Sequence, residues 1–104
     1  MTMKLHVAYP NGPTARFDFD YYRNTHMPMV MERFGPAGMT DFSATRGGGG
    51  KPDDAPPPFV LLATLTFPDE ASLDAALAVA EPLIADIANF TNVEPHFMIG
   101  SVLD

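Results

Sequence analysis

The order of elements in this chain is strand–helix–strand twice over, which predicts an α+β fold of βαββαβ order. Three observations carry that reading. Met3 to Tyr9 alternates, with Met3, Leu5, Val7 and Tyr9 pointing one way and Lys4, His6 and Ala8 the other, as a half-buried strand does. Phe59 to Phe67 is a near-continuous apolar run, the pattern of a central strand covered on both faces. Leu73, Ala76, Leu77 and Ala80 fall at i, i+3, i+4 and i+7, one apolar stripe of a helix. Two copies of one strand–helix–strand unit give the split arrangement of a ferredoxin-like sheet, four antiparallel strands with both helices on one face.

Each element follows from local chemistry. Pro10-Asn11-Gly12-Pro13 ends the first strand as a turn cluster. Thr14 is a fair N-cap for the helix that follows, and Phe17 and Tyr21 repeat at helical spacing. Pro28 lacks a backbone donor and disfavours helical angles at Met27, so the first helix should break between Thr25 and Pro28. Pro28 then opens a short helix to Phe34, stopped by Gly35-Pro36. Met39 to Arg46 is the second strand. Asp69 caps the second main helix, and Pro82 breaks or restarts it. Val93 to Val102 is the last strand, with Pro95 placing it at an edge or bulge. Between the second and third strands, residues 47–58 are rich in Gly, Pro and Asp. Such a run cannot bury apolar area and reads as a flexible insert dispensable for folding.

At 104 residues the chain is expected to be a single domain over 1–104, and 46% hydrophobic residues supply a core. It has no cysteine, hence no disulfide, no thiolate nucleophile and no cysteine-held metal. The start of the chain leads into a strand rather than a signal segment, and no apolar run reaches membrane-spanning length. A soluble, cytoplasmic protein is expected. Thirteen acids against six bases give a net charge of -7, which repels a phosphate backbone and argues against nucleic-acid binding. A short four-stranded sheet with helices on one face leaves its other face bare, so a homodimer joined through that face is expected.

Chemistry concentrates between Phe17 and Pro28, where aromatic, acidic, basic and imidazole groups crowd together. On a helix, Asp18, Tyr22 and His26 share one face. His26 beside a broken helix end faces the negative end of the dipole and can carry a proton near neutral pH; it can equally cap a free carbonyl. Tyr22 can orient the imidazole or bind a substrate carbonyl, or it is a half-buried tyrosine with a wet tip. Asp18 can extend the line, although a first-turn acid already has a structural purpose. Tyr21 reads as core. His6 and His96 lie on strands, and no spacing resembles a metal site, so no metal and no cofactor are expected. Gly47-Gly48-Gly49-Gly50-Lys51 is not a phosphate loop, because Thr45 stands where a glycine is needed and Pro52 where Ser or Thr is needed. Asp53-Asp54 lacks the alternating spacing of a calcium loop.

The pattern Phe17-x-x-x-Tyr21-Tyr22-x-x-x-His26-x-Pro28, preceded by Leu5-x-Val7-x-Tyr9-Pro10, resembles the EthD family of the dimeric α+β barrel superfamily. Ser72-Leu73, Ile87-x-Asn89-Phe90-Thr91 and Ile99-Gly100 echo it, and the resemblance covers nearly the whole chain. The Gly- and Pro-rich insert departs from the family pattern. The resemblance implies the barrel fold, a dimer, and a pocket between helices and sheet. Related barrels act as cyclases, isomerases, decarboxylases, dehydratases or cofactor-free monooxygenases. It implies proton transfer, without a cofactor, on an aromatic or lactone-like small apolar molecule, with His26 moving the proton and Tyr22 orienting. Tyr9, Phe42 and His96 are the expected lining. The alternative is a non-catalytic accessory protein that binds a hydrophobic intermediate beside an oxygenase.

Overall fold

The computed structural model describes residues 1–49 and 55–103. Strands β1 (Met3–Pro10), β2 (Asp41–Arg46), β3 (Phe59–Phe67) and β4 (His96–Ser101) form one sheet in the order β2-β3-β1-β4, antiparallel throughout. Leu5 pairs with Leu65 on one side and Ile99 on the other. The period of two then puts Leu5, Val7 and Tyr9 on the same face as Leu61, Ala63, Leu65 and Phe67 of β3 and Phe97 and Ile99 of β4. That face meets the buried side chains of the helices, among them Tyr22, Val30, Phe34, Leu73, Ala76 and Leu83. Both helical segments therefore cover one face of a ferredoxin-like α+β sheet, as expected.

The opposite face carries Lys4, His6, Thr64 and Thr66, tied by Lys4 Nζ to Thr66 Oγ1 (2.7 Å) and His6 Nδ1 to Thr64 Oγ1 (3.0 Å). Leu62 on that face is 41% exposed and Met98 61%. Within one chain, β3 is thus covered on one face only, a correction to the expectation from its apolar run. The continuous apolar pattern reflects two threonines and two aliphatic residues alternating behind a buried row.

The first helical segment departs from expectation at both ends. Thr14 does not cap it. Instead, Asp18 Oδ1 accepts the Tyr21 backbone N–H at 3.0 Å and caps α1 (Phe19–Tyr21). The chain before Asp18 is held extended by residues from the far end of the sequence. Asn92 Oδ1 accepts the Arg16 N–H (2.8 Å), Thr91 Oγ1 donates to the Arg16 carbonyl (2.6 Å), and Asp18 N–H donates to the Phe90 carbonyl (2.7 Å). These tertiary bonds override a local capping signal.

Nor does the helix break before Pro28. A π-helical turn (Tyr22–His26) passes directly into α2 (Met27–Phe34), with Met27 at φ -58°, ψ -46° and its N–H bonded to the Tyr22 carbonyl. The wider turn slips the hydrogen-bond register by one residue where Pro28 has no N–H, and it relieves the collision of the ring with the carbonyl four residues earlier. Pro28 keeps its expected place in the first turn of α2.

The second segment matches its signals more closely. Asp69 Oδ1 accepts the Ser72 N–H at 2.8 Å and caps α3 (Glu70–Leu77). Pro82 sits in the first turn of α4 (Glu81–Asp86), which ends in a 3₁₀ turn (Ile87–Asn89). β4 begins only at His96, after Pro95.

The middle of the predicted flexible insert lies outside the described residues, but its ends are tied down. Gly47 N–H donates to the Val60 carbonyl (2.8 Å), and Asn11 bonds the carbonyls of Pro57 and Pro58, both at 3.0 Å. Gly47 has no room for a side chain: a Cβ there would lie 2.0 Å from the Phe59 carbonyl oxygen. Among the described residues no helix is long and apolar enough to cross a membrane.

Candidate active site

Tyr22, His26, Val30 and Phe34 recur every fourth residue and are all buried, whereas Arg23, Asn24 and Thr25 between them are exposed. The first helical segment thus turns one stripe toward the sheet and brings His26 over α4. There it meets Asp86, a carboxylate 7% exposed in an otherwise apolar stretch. His26 Nδ1 lies 2.9 Å from Asp86 Oδ2. Asp86 Oδ1 accepts two further bonds, from the Tyr21 hydroxyl at 2.6 Å and from Asn89 Nδ2 at 3.0 Å.

This network sets both protonation states. Burial alone would raise the Asp86 pKa, but the bonds from Tyr21, Asn89 and His26 outweigh it and hold the carboxyl below its usual range. For His26 the balance runs the other way. Burial lowers its pKa, and the opposing pull of Asp86 does not restore it. An anionic Asp86 beside a neutral imidazole requires the proton on Nδ1, donated to Oδ2, and leaves the Nε2 lone pair free. The Tyr21 hydroxyl, bonded to that carboxylate, has its pKa raised and stays protonated as a donor.

A cavity of about 260 Å³ lies between helices and sheet. Tyr9, Tyr22 and His26 are its polar lining. Phe42, Val30, Leu65, Leu83 and other apolar side chains make the rest. Every sealed polar side-chain atom among the described residues has a hydrogen-bond partner. His26 Nε2 and the hydroxyls of Tyr9 and Tyr22 make no bond within the described residues, so they are open to the cavity. Burial raises the pKa of both tyrosines, keeping each hydroxyl a donor at neutral pH. Tyr22 stacks on His26 with ring centroids 5.2 Å apart, and Phe90 packs against both rings, 4.6 Å from the imidazole and 5.2 Å from Tyr22.

Of the residues singled out in the sequence, His26, Tyr22, Tyr9 and Phe42 come together at this cavity. His96 does not. Phe97 and Ile99 are the β4 residues that line it, and the strand period places His96 on the opposite face with Ala8, its register partner. Asp18 is a cap rather than part of the line, and His26 bonds Asp86 rather than a helix carbonyl. Arg46 is exposed, with its guanidinium 3.9 Å from the centre of the Phe19 ring. Sequence reasoning missed Asp86, and although Tyr21 packs against the core as expected, it missed the bond of its hydroxyl to that carboxylate. The available signal was a single acid inside Leu83 to Phe90, on the apolar side of its helix. Among the described residues no group of three or more His, Cys, Asp or Glu is placed to hold a metal.

The model of the EthD domain matches residues 11–94, a span that takes in the whole of the His26–Asp86 pair. The chain belongs to the EthD family. An EthD-like protein from Ralstonia eutropha is 33% identical over 99% of this chain and 93% of its own, with a TM-score of 0.89. An ethyl tert-butyl ether D (EthD) family protein from Bacillus halodurans is 25% identical, with a TM-score of 0.64 over 99% of this EthD chain and all of its own. SnoaB, a cofactor-independent oxygenase from Streptomyces nogalater, shares the fold at 10% identity, with a TM-score of 0.64 over 99% of this chain and 93% of its own. Other structures of this fold are dimeric ferredoxin-like proteins, one of them from Thermobifida fusca. No curated protein matches the chain.

The lowered His26 pKa makes stability depend on pH with a definite sign. Between the ordinary imidazole value and the folded one, the unfolded chain takes up a proton that the folded chain refuses. The His26 contribution is complete above that window and is lost as the pH falls through it. The expected outcome is a fall in the urea midpoint as the pH drops through and below the ordinary imidazole value of about 6.5. The fall should be shallower in His26→Gln. A flat wild-type profile would contradict a buried neutral imidazole. Asp86 acts in the same direction in a separate, more acidic window.

Proposed function

We propose that this EthD-family protein is an enzyme that moves a proton on a small, flat, mostly apolar molecule, without a cofactor, in an isomerisation, cyclisation, dehydration or decarboxylation. One observation carries the reading. The imidazole of His26 is held at Nδ1 by a buried carboxylate, while Nε2 is free on an apolar cavity. In that tautomer the imidazole is a general base, and Asp86 stabilises the imidazolium that forms after proton transfer. Tyr22, protonated and unbonded, is the donor for a substrate carbonyl or developing enolate oxygen. The apolar walls exclude water from the charge that develops, which strengthens both contacts.

The test begins with ligands that raise the melting temperature, chosen from neutral aromatic ketones, phenols and lactones. Each binder is then incubated in deuterium oxide, and exchange of its acidic C–H is followed by NMR. Wild-type protein should catalyse the exchange and His26→Gln should not. Tight binding with neither exchange nor turnover for any ligand would favour the alternative, a binding protein for a hydrophobic intermediate. The near-wholly apolar lining suits that role as well.

The same reading includes a homodimer. The sheet face behind the helices carries Leu62 and Met98, both well exposed in the single chain, and an exposed apolar face of this kind invites a partner. Light scattering at micromolar protein is expected to return twice the mass of one chain. A stable monomer at that concentration would remove the proposed interface.

A further inference from the structure

Ile84, Ile87 and Phe97 line the inner cavity and also the wall of a second, more open groove of about 450 Å³. Ile84 is 55% exposed and Phe97 53%. Large apolar side chains are therefore spent on a partition that stands at the surface between the two spaces. Beyond the partition the groove continues over Thr91, Asn92, Glu94 and Pro95. The two spaces thus share a wall, and a ligand lying across it would follow one path, with the imidazole and two hydroxyls at its inner end, an apolar middle, and a hydroxyl, an amide and a carboxylate at its outer end.

The charges along this path are one-sided. Apart from the neutral His26, Glu94 is the one titratable group with a charge at neutral pH lining either space among the described residues. Lys4, Arg16, Arg23, Arg33 and Arg46 line neither. Arg16 does bond Asn92, but through its backbone N–H, and its side chain is exposed. The net charge of -7 adds a field of the same sign as Glu94.

We propose that the groove is the outer subsite of the cavity and that the ligand is elongated: a carbonyl or phenol head at His26 and Tyr22, an apolar body past Phe97, and a neutral or cationic tail at Glu94. Molecules whose tail is a carboxylate are selected against. This rests on the reading of His26 and Tyr22 as the end that receives the reacting group. A unit charge on the tail near Glu94, with both groups wet, changes affinity by about fivefold in either direction.

The experiment uses three naphthols that differ only in the substituent on the ring remote from the hydroxyl: aminomethyl, hydroxymethyl or carboxylate. Each is titrated calorimetrically, at low salt, into wild type, Glu94→Gln and Glu94→Lys, while NMR follows the His26 imidazole signals. Glu94 is exposed, so both variants should fold. In wild type the aminomethyl compound should bind tightest and the carboxylate weakest, with about fivefold between successive compounds. The order should flatten in Glu94→Gln and reverse in Glu94→Lys. The same order and spacing in all three proteins, with His26 signals moving each time, would overturn the outer subsite and leave the inner reading intact. Binding that leaves the His26 signals unmoved would overturn the inner reading, and the subsite with it. Failure of all three naphthols to bind would overturn both.

Discussion

Replacing His26 by glutamine is expected to lower proton exchange or turnover by about a hundredfold to ten-thousandfold while the fold stands. The size follows from the role. Glutamine can present its amide N–H to Asp86 Oδ2, so the buried carboxylate keeps its third bond beside those from Tyr21 and Asn89. Its oxygen then faces the cavity, but an amide oxygen is far too weak a base to take a proton near neutral pH. Packing changes little, because Tyr22 and Phe90 lie against the side chain in either case. Circular dichroism and the unfolding midpoint should stay near wild type while exchange is lost. Wild-type turnover in His26→Gln would show that the imidazole serves structure alone.

Removing the carboxylate should have the largest effect on stability. Asp86→Ala is expected to cost about 2–4 kcal/mol, read from urea unfolding, and to lower the melting temperature by about 10–20 °C. Three donors converge on Asp86 and differ in what they lose. Tyr21 is half-buried and Asn89 exposed, so water can replace part of their bonds. His26 Nδ1 is buried and has no such recourse. The imidazole is neutral in the folded state, so the larger penalty of an abandoned buried charge does not apply, and the loss stays below the upper end of the range for broken buried pairs. Asp86→Asn separates the two roles. It keeps volume and an acceptor for Tyr21 and Asn89, so stability should fall by only about 1 kcal/mol. Its amide N–H, however, faces His26 and favours the tautomer with the proton on Nε2, which turns the base into a donor. Activity should then fall far more than stability. Parallel losses in Asp86→Ala and Asp86→Asn would show that the carboxylate merely packs.

The sequence by itself determined the order of the elements, the inward faces of the strands, the cap at Asp69, the restart of the helix at Pro82, and the stripe that pairs Tyr22 with His26. Each of these depends on a period or a signal within a few residues: two along a strand, about four along a helix, one side chain reaching its own backbone. It erred where distant chain segments competed with local preference. Thr14 lost its capping role to bonds from Thr91 and Asn92, and a π turn just before Pro28 carried the helix through the proline. The acid that completes the site was invisible for the same reason. His26 and Asp86 stand 60 positions apart, and nothing local to Asp86 says which imidazole it will meet. Only the tertiary structure, by laying the first helical segment across α4 on one face of the sheet, decided that. The lowered His26 pKa and the free Nε2 follow from that placement, because burial and a fixed partner are properties of the folded surroundings and not of the residue.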